Sequence, residues 1–299
     1  MVDHFINLSD IDTHILRGIL DHAHELKAQK FSPPQLFKGL TLAMLFDKRS
    51  TRTRLSFDVA MKQLGGHSIV LSQDDIQLGG SESIESTAKV MSRYVDAIMV
   101  RISDHDMLQD MAKHAAIPVI NAMTDISHPC QIMADMMTIE EKLGKLNGLK
   151  VAWFGDFNNV TLSFADAAQK FGFELVCACP QAILDKIPAC TRTDQVQFTA
   201  DPKIAAENAD VIVTDTWVSM GQEGKSLDIF WDYQVNSALM TLAKPHAIFM
   251  HCMPIHEWEE VTQEVAQGPQ SVIYDEAENR LHAQKAILAY YLQNAGVDV

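Results

Sequence analysis

A segment rich in arginine and hydroxyl side chains, RSTRTR at positions 49–54, lies in a chain whose formal net charge is −15. The apolar run at 39–46 predicts a buried strand, and apolar residues at helical spacing predict a helix over 53–66. Residues 50–53 therefore fall at a helix N-terminus, where unpaired N–H groups and the helix dipole favour an anion. The side chains there that match phosphate oxygens are those of Ser50, Thr51, Arg52 and Thr53.

An alternative interpretation is a capped helix start whose arginines are solvated. Arg101 favours the anion site, because it ends a predicted strand at 96–101 just as Ser50 follows the strand at 39–46. In parallel sheets, ligands bind beyond the carboxyl ends of the strands. Two such strand ends in one sheet predict a shared site for an anion.

The segment HPCQIMAD at 128–135 contains side chains that can act on a carbonyl group. Pro129 fits the first turn of a helix, which places His128 at the helix start and Gln131 one turn later. An imidazole and an amide together can polarise a carbonyl oxygen and accept from an NH₂ group. The alternative is a histidine packed near a helix start.

Polar residues in the second half of the chain suit an amino acid. Asn158 and Asn159 offer two amides for a carboxylate, although Asn is also common in turns. Asp215, with Ser219 in the next loop, suits an ammonium group, and a turn built on Ser and Gly is the alternative. Of a dinucleotide-binding fingerprint only Gly155 is present, which argues against a nucleotide-dependent oxidoreductase.

Two further segments carry candidate residues near the C-terminus. Cys252, in HCMP at 251–254, could be a nucleophile, a substrate contact or a buried core residue. Arg280 falls in the first turn of the last predicted helix, the end that disfavours a cation. We therefore expect Arg280 to face an anion or a polar partner.

Alternating apolar strands and amphipathic helices must position these residues, after an opening helix over 9–29 with Ser9 as its N-cap. The strands are predicted at 39–46, 67–72, 96–101, 117–122, 150–156, 173–179, 209–217, 247–253 and 271–276. This alternation predicts an α/β protein with two doubly wound domains and parallel central sheets. The predicted parts are residues 1–146, residues 147–276, and a C-terminal helix over 277–299 that packs back toward the first domain.

Composition excludes several classes of function. The acidic balance argues against a nucleic-acid surface, and no apolar run approaches the ~18 residues of a membrane helix. The N-terminal residues lack the features of a signal peptide, so we expect a cytoplasmic location. The five scattered cysteines predict free thiols, and for Cys177 and Cys179 core packing is favoured over a zinc site.

Five motifs together resemble the aspartate/ornithine carbamoyltransferase family and, within it, the ornithine branch. They are STRTR at 50–54, HPxQ at 128–131, Asp215 with SMG at 219–221, HCxP at 251–254 and ENR at 278–280. The resemblance covers essentially the whole chain in the same order. It implies that the first domain binds carbamoyl phosphate and the second binds L-ornithine, with transfer to the δ-amine in the cleft between them. It implies no metal and no organic cofactor, because carbamoyl phosphate is already activated.

The resemblance also assigns roles to single residues. The phosphate ligands are Ser50, Thr51, Arg52, Thr53 and Arg101. The carbamoyl group is held by His128, Gln131, Arg280 and the carbonyls of Cys252 and Met253. Pro129 and Cys130 are also among the residues that bind carbamoyl phosphate. The ornithine ligands are Asn159, Asp215, Ser219 and Met220. The catalytic set is Arg52, His128, Cys252 and Arg280, and Gln77 reaches a neighbouring subunit's site, which implies a homotrimer.

Three alternatives compete with this interpretation. A sister transferase that uses another amine would share the first domain's motifs and differ at Asp215, Ser219 and Met220. An oxidoreductase on the same architecture lacks its glycine fingerprint here. A non-catalytic relative that binds carbamoyl phosphate would not need the complete set of site residues.

Overall fold

The computed structural model describes residues 2–47, 50–72, 82–218 and 226–296. The chain divides into two units: one comprises Met1–Met137 with Glu278–Val299, and the other comprises Thr138–Ala277. Each unit contains a parallel sheet and helices, so the predicted α/β class with two parallel sheets is confirmed.

The first unit is built on a four-stranded parallel sheet. Its strands are β1 (Thr41–Phe46), β2 (His67–Ser72), β3 (Ala97–Arg101) and β4 (Val119–Met123). They lie in the order β2-β1-β3-β4. Every residue of β3 is buried, as expected for a central strand that is covered on both faces. The carboxyl ends of β1 and β3 are therefore neighbours, with Phe46 paired to Arg101.

The first unit also contains α-helices, one before its first strand and the others after the strands. They are α1 (Thr13–Ala28), α2 (Thr51–Gln63), α3 (Ile84–Met91), α4 (His105–His114) and α5 (Pro129–Leu143), the last of which ends in the second unit. The opening helix buries an apolar stripe at helical spacing, formed by Leu16, Ile19, Leu20, Ala23 and Leu26. Its N-cap is Asp12, so the prediction of Ser9 was wrong, because Ser9 lies in a separate turn of 3₁₀ helix at Leu8–Asp10.

The second unit contains a five-stranded parallel sheet. Its strands are β5 (Lys150–Phe154), β6 (Glu174–Ala178), β7 (Val196–Thr199), β8 (Val211–Thr214) and β9 (Ile248–His251). They lie in the order β7-β6-β5-β8-β9. The order reverses at β5, so the carboxyl ends of β5 and β8 form the edge where ligands of such sheets bind.

One predicted strand of the second unit was wrong. Residues 271–276 make only an isolated bridge, between Ser271 and Phe249, and a helix begins at Ile273. Asp275 and Glu276 lie in its first turn, where acidic side chains are favoured. The fifth strand is instead β7, which the sequence patterns did not predict because only its first residue is fully buried.

The remaining helices are α6 (Asn159–Phe171), α7 (Gln181–Leu184), α8 (Pro202–Ala206), α9 (Ser237–Met240), α10 (Gln263–Ala266) and α11 (Ile273–Asn294). The last of these, α11, contributes its residues from Glu278 onward to the first unit. There Asn279 accepts a 2.6 Å hydrogen bond from Lys27 of α1, and Lys285 donates a 2.5 Å bond to Gln63 of α2. The prediction that the C-terminal helix packs on the first domain is confirmed.

All five cysteines are free thiols. Cys177 and Cys179 are fully buried in and beside β6, and burial raises the pKa of both, that of Cys179 to about 12. They pack as protonated thiols in the core. Among the described residues, the structure contains no helix long and apolar enough to cross a membrane.

Gly155 allows the close approach of an aromatic ring at the end of β5. Its φ of +114° lies in a region that side chains disfavour, and a Cβ there would lie 2.9 Å from Cδ1 of Trp217. The Trp217 ring in turn stacks on Phe230, with 5.5 Å between the ring centroids. Gly155 therefore leaves the space that the Trp217 ring occupies at the end of β5.

We expect the substitution Gly155→Ala to lower the free energy of unfolding by about 2 kcal/mol or more, because it adds backbone strain and a steric clash. Gly18, in the middle of α1, has no atom within 4 Å of its would-be Cβ. The control Gly18→Ala should therefore raise stability by about 0.5–1 kcal/mol. Urea denaturation of both variants measures the difference, and equal stabilities would contradict the packing described for Gly155.

Candidate active site

The first unit presents a helix N-terminus beside the carboxyl end of β1. Ser50 is the N-cap of α2 and has extended backbone torsions, so the helix proper begins at Thr51. Thr51 and Arg52 are exposed in the first turn, whereas Thr53 is buried. The predicted anion ligands thus lie at a helix N-terminus, whose free N–H groups favour negative charge.

Two buried arginines converge on the hydroxyl of Thr53. Arg101 donates from Nη1 to Thr53 Oγ1 over 3.0 Å, and Arg280 donates from Nη2 to the same oxygen over 3.1 Å. Arg101 is 8% exposed and Arg280 is 4% exposed. The sheet brings Arg101 there, and α11 brings Arg280 from 227 residues away. The result is a concentrated positive charge at the start of α2.

Gln131 holds the second branch of the Arg280 guanidinium. Its side-chain oxygen accepts from Nη1 of Arg280 at 2.6 Å, and its NH₂ group donates to Asp135 Oδ1 at 2.8 Å. Gln131 and Asp135 are fully buried on successive turns of α5. The sequence predicted Gln131 but not Asp135, although a spacing of four residues on a helix was a usable signal.

His128 begins the turn that leads into α5. Its carbonyl accepts from the N–H groups of Gln131 and Ile132, and its side chain is buried. Burial lowers the pKa of His128 well below its ordinary value of 6.5, and the charges of Arg280 and Arg101 lower it further. A neutral imidazole can donate a hydrogen bond to a carbonyl oxygen without adding a third positive charge.

The N-terminal segment supports the loop that precedes His128. Asn121, fully buried in β4, donates to the Ile6 carbonyl at 2.9 Å and to Ser127 Oγ at 2.8 Å. Ser127 in turn donates to Asn7 at 2.9 Å. These contacts tie residues 6–7 to residue 127. The sequence patterns did not predict them, because the residues are far apart in the chain and have no shared spacing.

Pro129 and Cys130 were predicted to bind carbamoyl phosphate. Pro129 is the first residue of α5, and its missing N–H costs nothing at that position. The Cys130 thiol is buried and donates to the Asn121 carbonyl at 3.2 Å. Burial raises the pKa of Cys130 to about 12, so the residue is a protonated thiol and part of the support of the loop.

Two asparagines lie where β5 ends and α6 begins. Asn158 caps α6 by accepting from the N–H groups of Val160 and Thr161. Its NH₂ group donates to Asp215 Oδ2 at 2.8 Å. Asn159 is the first residue of the helix and is partly exposed. The predicted ligand is Asn159, and the direct contact with Asp215 is made by its neighbour.

Asp215 presents an ordered carboxylate at the end of β8. It is 9% exposed, and its second oxygen, Oδ1, accepts from the Cys252 thiol at 3.1 Å and from the Thr216 N–H at 2.8 Å. Asp215 and Cys252, both predicted site residues, are therefore in contact. A carboxylate held in this way favours a cationic or amine partner.

The segment after β9 is held by a buried histidine. The N–H of Met253 donates to His251 Nδ1 at 2.8 Å, so the imidazole proton resides on Nε2, which lies 3.1 Å from Glu260 Oε1. Met253 adopts a φ of +57°, which is uncommon for a side chain of its size. His251 and Glu260 thus fix the backbone whose carbonyls at Cys252 and Met253 were predicted to act. No sequence signal pointed to Glu260.

Donor atoms of Asp215, His251 and Cys252 lie within 4.8 Å of one another, a distance that suits a metal ion. However, both ring nitrogens of His251 already have partners, Met253 and Glu260. Metal binding by His251 would break one of these buried contacts. Gln77, Ser219 and Met220, also predicted site residues, lie outside the described residues.

The structure thus has a buried cationic cluster in one α/β unit and a buried carboxylate in the other, the arrangement of an α/β protein that binds small polar molecules. Two family models match the chain: the carbamoyl-P binding domain of aspartate/ornithine carbamoyltransferase over residues 3–141, and the Asp/Orn binding domain over residues 147–291. The chain belongs to the aspartate/ornithine carbamoyltransferase family.

Individual relatives agree with the family models. The chain is 52% identical to the ornithine carbamoyltransferase of Brucella abortus (strain 2308) over 306 residues, which cover 99% of this chain and 97% of that relative. It is 51% identical to that of Nitrobacter winogradskyi over 98% of both chains. The solved ornithine carbamoyltransferase from Pyrococcus furiosus shares 47% identity, with a TM-score of 0.89 and 96% of both chains covered.

We expect His128 to remain neutral at physiological pH. In proton NMR, the imidazole resonance that the substitution His128→Asn removes should not shift between about pH 6 and about pH 8, whereas an ordinary histidine titrates across this range. A titration midpoint for His128 between about pH 6 and about pH 8 would contradict the effect ascribed to burial and the two arginines.

Proposed function

We propose that this chain transfers the carbamoyl group of carbamoyl phosphate to the δ-amine of L-ornithine, giving L-citrulline and phosphate. The observation that carries the proposal is the convergence of Arg101 and Arg280 on Thr53 at the N-terminus of α2. Family membership and relatives named as ornithine carbamoyltransferases support it.

The phosphate of carbamoyl phosphate is assigned to the start of α2. Backbone N–H groups and the helix dipole there favour a dianion, and Arg52 and Arg101 supply guanidinium donors. The assigned ligands are Ser50, Thr51, Arg52, Thr53 and Arg101. The same groups stabilise inorganic phosphate as it leaves.

The carbamoyl group is assigned to the neighbouring cluster. Attack on its carbon develops negative charge on the carbonyl oxygen, which neutral His128 and cationic Arg280 and Arg52 can stabilise. The carbamoyl NH₂ group needs acceptors, and we assign this role to the Gln131 oxygen and to the carbonyls of Cys252 and Met253. Pro129 and Cys130 are also assigned to the binding of carbamoyl phosphate.

Ornithine is assigned to the second unit, with Asn159, Asp215, Ser219 and Met220 as its ligands. The Asp215 carboxylate, held by Asn158 and Cys252, suits an amine. Aspartate, the other acceptor named in the family description, would bring a second carboxylate beside it, and like charges at short distance repel. This observation favours ornithine over aspartate.

The δ-amine must lose its proton before it attacks, because an unperturbed alkylamine is mostly protonated at neutral pH. Partial burial around Asp215 favours the neutral amine, whereas the Asp215 carboxylate favours the ammonium form, so the site must select the neutral amine or take up its proton. In this proposal Cys252, which donates to that carboxylate, lies near the δ-amine. Most of the acceleration is expected from holding the two substrates in attack geometry. Carbamoyl phosphate carries its own leaving group, so we assign no cofactor.

We further propose a homotrimer in which Gln77 contributes to a neighbouring subunit's site. The described surface of the first unit supports an assembly at this edge: β2 is an edge strand, and Ile69 on it is 49% exposed. Leu55 on the adjoining α2 is 57% exposed.

Five free cysteines are typical of a reducing compartment and support a cytoplasmic location.

The first test offers labelled carbamoyl phosphate with L-ornithine, N-acetylornithine, putrescine or L-aspartate in separate reactions, and measures labelled product and released phosphate. We expect rapid formation of L-citrulline with L-ornithine and little product with the others. If product forms with a different amine, the assignment of carbamoyl phosphate to the first unit stands and the role of Asp215 as an ornithine ligand is refuted. Absence of product with every acceptor would favour the non-catalytic alternative.

The substitution Arg52→Ala should lower kcat/KM for carbamoyl phosphate by about 100- to 1,000-fold, because it removes a charged donor from the reacting group. Stability should change little, since Arg52 is exposed. Arg93→Ala, at another exposed arginine of the same unit, is the matched control for loss of charge. Near-normal turnover by the Arg52 variant would refute the phosphate assignment.

A further inference from the structure

We infer that Asp135 is a positioning residue, which sets the direction of the Gln131 amide and through it the place of Arg280. The inference rests on the proposed function, in which Arg280 holds the carbamoyl group. Asp135 itself has no assigned contact with either substrate. Its effect on the reaction is transmitted through two hydrogen bonds.

The three side chains form a buried chain of contacts. Asp135 accepts from Gln131 Nε2 at 2.8 Å, and Gln131 Oε1 accepts from Arg280 at 2.6 Å. Asp135 and Gln131 are each 1% exposed, and Arg280 is 4% exposed. Water therefore cannot readily replace either bond, and a lost partner leaves a buried polar group unsatisfied.

The chemistry of the two ends allows only one orientation of the amide. A guanidinium has donors and no acceptor, and a carboxylate has acceptors and no donor. The Gln131 oxygen must therefore face Arg280 and its NH₂ group must face Asp135. Rotating the amide by half a turn would place donor against donor at Arg280 and oxygen against oxygen at Asp135.

Without the Asp135 carboxylate, the repulsion between its oxygen and the oxygen of the rotated amide is lost. Arg280 would then lose its 2.6 Å acceptor in a fraction of molecules, while Thr53 still accepts from its other branch. A guanidinium held at one branch is less well placed than one held at two. Because Arg280 acts where charge develops, kcat should fall while the KM for ornithine stays unchanged.

The experiment compares Asp135→Ala and Asp135→Asn with Asp96→Asn. Asp96 accepts from the Thr41 N–H at the opposite end of β1, so it controls for loss of an acid in the same unit. Asp135→Ala should lower kcat/KM for carbamoyl phosphate by about 10- to 100-fold. In Asp135→Asn the side chain keeps one acceptor but can also present a donor, so kcat/KM should fall less than in Asp135→Ala. Asp96→Asn should retain wild-type activity. Thermal unfolding of each variant verifies that it is folded.

A double-mutant cycle separates positioning from a general structural effect. In a Gln131→Ala background, Asp135→Asn or Asp135→Ala should cause less than about a twofold further loss, because the connection to Arg280 is already cut. The same fold-loss in both backgrounds would overturn the inference, as would wild-type kcat/KM in Asp135→Ala.

Calorimetric titration with carbamoyl phosphate makes the two proposals separable. If the wild-type protein binds carbamoyl phosphate but forms no citrulline, the proposed function fails, and the dissociation constants of the same variants still decide the role of Asp135. We expect weaker binding in Asp135→Ala and no further weakening in the double variant. Unchanged binding in all Asp135 variants would overturn the inference.

Discussion

Two buried guanidinium groups on one hydroxyl are the constraint around which the first unit is arranged. Placing Arg101 and Arg280 beside Thr53 brings like charges together away from water, and the cost of doing so falls with each donor that has an acceptor. Gln131 supplies one acceptor, and His128 avoids adding a third charge because burial keeps it neutral. The cluster is thus tolerated by the same features that suit it to a doubly charged anion.

Much of the fold was predictable because apolar runs and strand–helix alternation are local signals. All four strands of the first unit were predicted near their observed positions, and β5, β6, β8 and β9 were too. The two errors, at β7 and at residues 271–276, occurred where the pattern of apolar residues does not match the element that forms. The edge strand β7 is half polar, and the β-branched Val272 and Ile273 stand just before Asp275 and Glu276 in the first turn of α11. Burial, which decides both cases, is a property of the folded chain.

The candidate site was predictable in residue type but not in pairing. Arginine, histidine and aspartate at strand ends indicate an anion and an amine, and the family motifs indicate which ones. That Arg280 donates to Thr53, or that Glu260 holds His251, depends on contacts between distant parts of the chain. Asp135 and Asn121 are ordinary in sequence and become informative only through the partners they hold.

The two units have the same α/β architecture but carry buried side chains of opposite charge. In a chain with a net charge of −15, an anion must be attracted locally, so the first unit concentrates arginines at a helix N-terminus and excludes a charged histidine. In the second unit one carboxylate suffices, and it is held by neutral donors, Asn158 and Cys252, which leave its charge uncompensated for an incoming amine. The positive cluster of the first unit therefore favours an anion, and the Asp215 carboxylate of the second unit favours an amine.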